Sequence, residues 1–222
     1  MKIAHYSIET VAELTDNAVT TYVLENPNFF AECVNEVKNL EAGNESRFII
    51  SKNYEPINIY EKIAVIADFF TLDFNAKKII GGITKFLIRK MQENNFSCQE
   101  LYQKAYALIS DFALELDCGV SINEEFDAAA FLKMFSPKIE RKTDGLLNSI
   151  IDYINALVQF CDLKILILIS VKNYLSEREY AELVKHLNYK EVSLINIEAH
   201  SPYKADCEKL IIIDKDLCEI VV

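Results

Sequence analysis

The chain has 222 residues, 51% of them hydrophobic, with 13 Phe, 11 Tyr and a formal net charge of −11. That is enough to build one large domain, or a domain with an appendage, and only 5 Gly and 4 Pro speak against a loop-rich or repetitive all-β protein. The acidic balance taken alone disfavours nucleic acid, whose phosphates require basic partners, so the distribution of Lys and Arg matters more than their sum.

No internal repeat or low-complexity tract is present. No apolar run approaches the roughly 20 residues of a membrane span. The opening "MKIAHYSIETVAEL" lacks the basic region, apolar core and cleavage site of a secretory signal. The expectation is a cytoplasmic protein with no membrane partner. Cys33, Cys98, Cys118, Cys161, Cys207 and Cys218 are scattered without a CxxC pair, and read as small, reduced, buried hydrophobes. No Cys or His pair has zinc-ligand spacing.

In chain order, Ala18 to Leu24 predicts a strand that feeds directly into a helix. Asn26 is a suitable N-cap, and Pro27 falls at the first helical position, where its missing N–H costs little. Phe29, Phe30, Cys33, Val34 and Val37 form one apolar stripe. Arg47 to Asn53 predicts a short strand. "IYEKIAVIADFF" looks helical, and a longer helix is expected from about Asn75 to Gln92, with Gly81-Gly82 as a helix-packing site. From about Glu93 to Phe160 the pattern is helical. Leu146, Leu147, Ile150, Ile151, Ile154, Leu157 and Val158 share one side of its last helix. Lys164 to Ile169 predicts a buried strand. Ser176 and Glu179 form a capping box for a helix over Glu177 to Leu187, and strands follow at Val192 to Ile197 and Leu210 to Ile213. Strand, crossover helix and strand within about 35 residues make a βαβ unit and a parallel sheet. The expected architecture is an α/β head, residues 1–92 and 161–222, with a helical leg, residues 93–160, inserted between its halves.

Such a head raises the question of a nucleotide. A P-loop needs glycines between strand and helix, so that backbone N–H groups can cradle phosphates, and a lysine for the terminal ones. Here that junction is "LENPN", with no glycine, a proline in place of a donor, and Glu25 beside the helix start. No GxGxxG follows a strand, so no nucleotide is expected. His5, His186 and His200 are isolated. A His200, Asp206 and Cys207 nucleophile site fits the residue types, but the spacing fixes no geometry, and a surface histidine before a strand fits as well.

Four segments in order resemble the Csn-type spacer-acquisition proteins of type II-A CRISPR systems. They are "ENPNFFAECVNEV" (Glu25 to Val37), "FIISKNYEPINIYEKIAVIADFFTLDFNAKKI" (Phe48 to Ile79), "KILILISVKNYLSEREYAELVKHL" (Lys164 to Leu187) and "EKLIIIDKDLCEI" (Glu208 to Ile220). The resemblance implies a P-loop-like, mostly parallel sheet head without a functional Walker motif, plus the inserted α-helical leg. It implies a homotetrameric ring that binds double-stranded DNA ends during spacer acquisition without catalysis, alongside the CRISPR integrase complex and the RNA-guided effector nuclease. It also implies bound calcium. The alternative is an acidic α/β adaptor that binds only protein partners of the acquisition complex.

A DNA channel through acidic subunits needs local positive charge. Lys78, Lys85 and Arg89 lie at i, i+7 and i+11, in a narrow stripe away from Ile79, Ile83, Phe86 and Leu87. Lys138, Arg141 and Lys142 form a second cluster, and Arg47 and Lys52 bracket a strand. An ordinary solvated face is the competing reading of each. Lysines around a duplex contact phosphates, so no base specificity is expected. For calcium, Glu115, Asp117, Glu124, Glu125, Asp127 and Glu140 are concentrated around one loop and the helix after it. The EF-hand pattern is absent. The resemblance implies a ligand set of Asp117, Glu124, Glu125, Asp127 and Glu140, with Glu140 matching the closing acid, although Ala130 stands where the family pattern has an acid. Acids suiting a helix dipole are the alternative.

Overall fold

The computed structural model describes residues 1–15, 19–93, 95–140, 145–201, 203–205 and 208–222. In chain order its elements are β1 (Lys2–His5), β2 (Ile8–Glu13), β3 (Val19–Leu24), α1 (Pro27–Glu41), β4 (Phe48–Lys52), β5 (Glu55–Pro56), β6 (Ile63–Ile66), α2 (Lys77–Glu93), α3 (Asn95–Ala113) and α4 (Ala128–Lys133). Then come α5 (Leu146–Cys161), β7 (Ile165–Ile169), α6 (Glu177–Tyr189), β8 (Ser193–Glu198), β9 (Glu208–Ile213) and β10 (Glu219–Val221). They divide into two compact units, Met1–Asp73 with Lys142–Val222, and Phe74–Arg141.

The first unit is built on a sheet ordered β10-β9-β3-β8-β7-β6, parallel except for β10. The strands β3, β7 and β8 are buried along their whole length, because a parallel sheet is covered on both faces. One face carries Tyr22, Ile167, Ile195, Ile197 and Ile211. It packs with Phe29, Cys33 and Val37 of α1 and with Ile3, Phe48 and Ile50 of a second, antiparallel sheet ordered β2-β1-β4-β5. Truncating one such isoleucine to alanine costs about 2–5 kcal/mol. On α5, Ile150, Ile154 and Leu157 are buried; on α6, Tyr180, Leu183, Val184 and Leu187 are.

Local signals explain the helix limits. Asn26 accepts hydrogen bonds from the amides of Asn28 and Phe29, and Pro27 opens α1. The Ser176–Glu179 capping box is formed in both directions. Past α1, Gly43 has φ of +73°, and a Cβ there would stand 3.1 Å from the Tyr60 ring, so the turn needs glycine twice over.

Three expectations are corrected. "IYEKIAVIADFF" is not a helix: a 3-10 turn at Tyr60–Lys62 leads into β6, which pairs in parallel with β7 from Ile63↔Ile165 to Ile66↔Leu168. Its short Ile-Ala-Val-Ile run fills a buried strand, which a helical face of that length cannot be told from by period alone. A Cβ added at Gly81 meets nothing within 4 Å, so close packing does not require that glycine. Cys118 and Cys218 are exposed rather than buried, and Cys207 lies outside the described residues. The sequence division at 92/93 and 160/161 also differs from the compact units. Helix α2 falls in the second unit and α5 in the first, where it contacts α6.

The second unit holds α2, α3 and α4. A chain of ring contacts, Tyr102 to Phe126 to Phe131 to Phe135, ties α3 to α4. The Asn75 side chain clamps Ile139, accepting from its amide at 2.9 Å and donating to its carbonyl at 3.3 Å. Among the described residues no helix is long and apolar enough to cross a membrane.

Candidate functional site

The junction between β3 and α1 is where a phosphate would sit in a nucleotide-binding α/β protein. Its donors are already used. The Glu25 amide donates to the Ile213 carbonyl at 2.9 Å, and the Asn26 side chain takes the Asn28 and Phe29 amides while its own Nδ2 donates to the Lys215 carbonyl. The helix end is closed by its own cap.

The basic candidates fall in three places. On α2, Lys78, Lys85 and Arg89 are exposed, while Ile79 and Ile83 are buried. Arg89 lies over the Phe86 ring at 5.6 Å and 4.0 Å from Glu93, which Lys90 also holds at 2.6 Å. That hydrogen bond from Lys90 sets the Glu93 carboxyl below its ordinary value. Lys138 is exposed on the segment clamped by Asn75. It borders a 390 Å³ cavity with Ile80, Thr84, Leu132 and Lys133, so the fold brings Lys138 beside the first half of α2. Arg141 and Lys142 lie outside the described residues. In the first unit, Arg47 is ion-paired with Glu32 and its amide donates to Glu36 at 2.7 Å, so its charge is largely spoken for. Lys52 is exposed at the tip of the β4–β5 hairpin.

The acids expected to hold calcium are exposed and occupied separately. Asp127 is the N-cap of α4, accepting from the Ala129 and Ala130 amides. Glu124 accepts from the Tyr106 hydroxyl at 3.2 Å, and the Glu125 amide donates to Asn123. Asp117 and Glu140 lie in irregular segments before and after these, and among the described residues no three acids, histidines or cysteines gather around one point. Among the described residues, then, they do not form a closed oxygen cage of the kind calcium takes. A 1020 Å³ cleft between α2, α3 and residues 123–129 is lined by Gln92, Gln99, Gln103, Glu124, Glu125 and Asp127. Its carboxylates repel phosphate.

The most elaborate polar arrangement lies elsewhere, on residues to which the sequence reading gave no role, although Lys172, Tyr180 and Glu208 fall in segments that carry the family resemblance. Lys172, in the 3-10 turn Val171–Asn173 after β7, is buried and has its ammonium 2.7 Å from the buried Glu208 carboxylate at the start of β9. That carboxylate also accepts from the Thr21 and Tyr180 hydroxyls and from the Ala205 amide. Asn196 of β8 donates to Thr21 and Tyr180, and Lys172 faces the rings of Tyr180 and Tyr203 at 5.2 and 5.0 Å. Glu198 ends β8, fully buried. Desolvation raises its carboxyl to about 7 against the pull of the Lys172 amide and ammonium. Desolvation likewise raises the Tyr180 and Tyr203 hydroxyls far above their ordinary value. The only sequence signals are charged residues closing or opening apolar strands, "SLINIE" and "EKLIII". The Lys172 ammonium has all three N–H groups engaged and is no nucleophile. His200 is exposed, and its suggested partners Asp206 and Cys207 lie outside the described residues.

Comparison with curated proteins finds no match. Among solved structures, the chain is similar to one described as a putative ABC transporter (ATP-binding protein) from Pyrococcus furiosus. The identity is 12%, 90% of this chain and 88% of that chain are covered, and the TM-score of 0.37 is too low for any argument. The family described as CRISPR-associated protein (Cas_Csn2) matches residues 41–217. That span covers the second compact unit and most of the first, and the chain belongs to the CRISPR-associated Csn2 family, whose role lies in CRISPR adaptation.

Proposed function

We propose that this chain assembles as a homotetrameric ring that binds the ends of double-stranded DNA, without regard to sequence and without catalysis, as the CRISPR integrase complex and effector nuclease acquire spacers. The observation that carries the reading is family membership across residues 41–217. Two features support it. The phosphate-cradling amides of the β3–α1 junction are consumed by the protein itself, which suits a scaffold with no nucleotide. The α2 helix turns Lys78, Lys85 and Arg89 to solvent in a chain that is otherwise strongly acidic, and such a stripe contacts phosphates rather than base edges.

A gel shift comparing linear duplexes with covalently closed circles tests the reading. A ring that threads onto ends retards linear DNA of any sequence and leaves closed circles free. Equal retardation of both refutes threading. Retardation of neither, with retained binding to protein partners, favours the adaptor reading.

A further inference from the structure

Lys172, Glu208 and Glu198 are three charged side chains sealed inside the first unit, and their hydrogen bonds do not divide evenly. The three N–H groups of Lys172 go to Ser201 Oγ at 3.1 Å, the Tyr203 carbonyl at 2.9 Å and Glu208 at 2.7 Å. Glu208 is further served by Thr21, Tyr180 and Ala205. Glu198 receives the Lys172 backbone amide on Oε1 at 3.1 Å, but its buried Oε2 has no hydrogen-bond partner among the described residues. The one ammonium of the cluster therefore serves Glu208 and gives Glu198 no hydrogen bond.

We propose that Glu198 is a proton-operated latch on Ser201, Tyr203 and Ala205, clamped while its carboxyl is protonated and loosened once it ionises. The contacts that hold these three residues run through the same cluster. Ser201 and Tyr203 are held by Lys172, the Ala205 amide by Glu208, and the Tyr203 hydroxyl donates to the Leu175 carbonyl at 3.0 Å. Ionisation puts a second negative charge beside Glu208, with an oxygen that needs a donor. Burying such a charge unpaired is costly, so water must reach it. Ala199 and His200, directly after Glu198, are exposed, so solvent lies one residue from it along the chain. Water entering there competes for the bonds of Lys172 to Ser201 and Tyr203 and of Ala205 to Glu208.

The groups that face the carboxyl set where this happens. They are Lys172 from the turn after β7, Glu208 from β9 and, around the same cluster, Tyr180 from α6 and Tyr203 among the latched residues; Glu177 and Glu179 at the start of α6 act on Tyr203. Burial dominates, and it holds the folded carboxyl at about 7 against an ordinary 4.5. If the loosened state restores the ordinary value, the ratio of loosened to clamped molecules rises about tenfold between pH 6 and pH 8.

Amide hydrogen exchange at Ala205, corrected for the intrinsic pH dependence of exchange, tests this in the wild-type protein and in Glu198→Gln. The expected result is a protection factor that falls about tenfold from pH 6 to pH 8 in the wild type and stays level in the variant. A level wild-type value, or the same fall in both proteins, overturns the latch. Should the variant not fold, titration of the Glu198 carboxyl carbon by NMR in the wild-type protein decides: a midpoint near 7 supports the latch, and one near the ordinary 4.5 overturns it.

Discussion

Replacing Lys172 with methionine keeps most of the stem that packs against Tyr180 and Tyr203 but removes the ammonium from Glu208. A buried carboxylate left without its cation typically costs about 3–5 kcal/mol. The expected outcome of Lys172→Met is destabilisation of that order in urea, with part of it recovered when Glu208→Gln is added, since an amide carries no charge to strand. Glu198 behaves in the opposite sense. Its folded value of about 7 lies above the ordinary 4.5, so between those values the folded state holds a proton that the unfolded state has lost. Its contribution is therefore most favourable below 4.5, and stability falls as pH rises through 7, by on the order of 3 kcal/mol at most. Glu198→Gln should remove that fall, measured as unfolding free energy at pH 5 and pH 8; an unchanged pH profile would count against the buried assignment. These residues are hard to find from the sequence for a physical reason. A lysine or glutamate beside an apolar run looks the same whether it turns to water or is paired inside, and only the fold brings Lys172, Glu198 and Glu208 together from three separate segments. The caps at Asn26 and Ser176 are legible because a cap is local, its donor and acceptor lying within three residues.

At the scale of elements, legibility in the sequence follows the range of the contacts that fix each one. Helices α1 and α6 carry their own period and end signals, α2 and α5 their period, and fully buried β7 its unbroken apolar run. β6 reads as helix from sequence because its strand character comes from pairing with β7, a partner about 100 residues away by the parallel register. β1 and β2 escape a sequence reading because an antiparallel strand with one solvated face shows only a weak alternation over four to six residues. The basic stripe on α2 is legible as a stripe, since helical spacing alone puts Lys78, Lys85 and Arg89 on one side, but its role is not. Replacing all three with Glu should weaken DNA binding at least tenfold and lower the slope of log affinity against log salt by about 3, close to one for each phosphate no longer neutralised. Lys185→Glu with Lys190→Glu, on and just after α6, is the control for general charge. An equal weakening in the control would take α2 out of the interface.

The whole molecule carries −11 and, under the proposed function, still has to approach a polyanion. A lone subunit repels DNA at long range, whereas a closed assembly can turn acidic surface outward and basic stripes inward. A second pressure acts in the same direction. In the second unit α3 leaves Leu101, Leu108, Ile109 and Phe112 more than half exposed, at i, i+7, i+8 and i+11, so they share one helical face. Together they make a contiguous apolar strip of the kind that marks a protein contact. A second copy of the chain is the partner always at hand, and closed symmetry is its usual outcome. The wild-type protein should therefore sediment as a tetramer at micromolar concentration. Leu108→Glu with Phe112→Glu should shift it to smaller species while leaving the circular dichroism spectrum intact, because these side chains contribute little to the subunit core. If the ring is what selects free ends, the same variant should also lose its preference for linear over closed circular DNA, and retained binding would then be weak and equal on both. A wild-type protein that stays monomeric at that concentration, or a dissociated variant that still discriminates ends, would separate end recognition from assembly and leave α3 without this role.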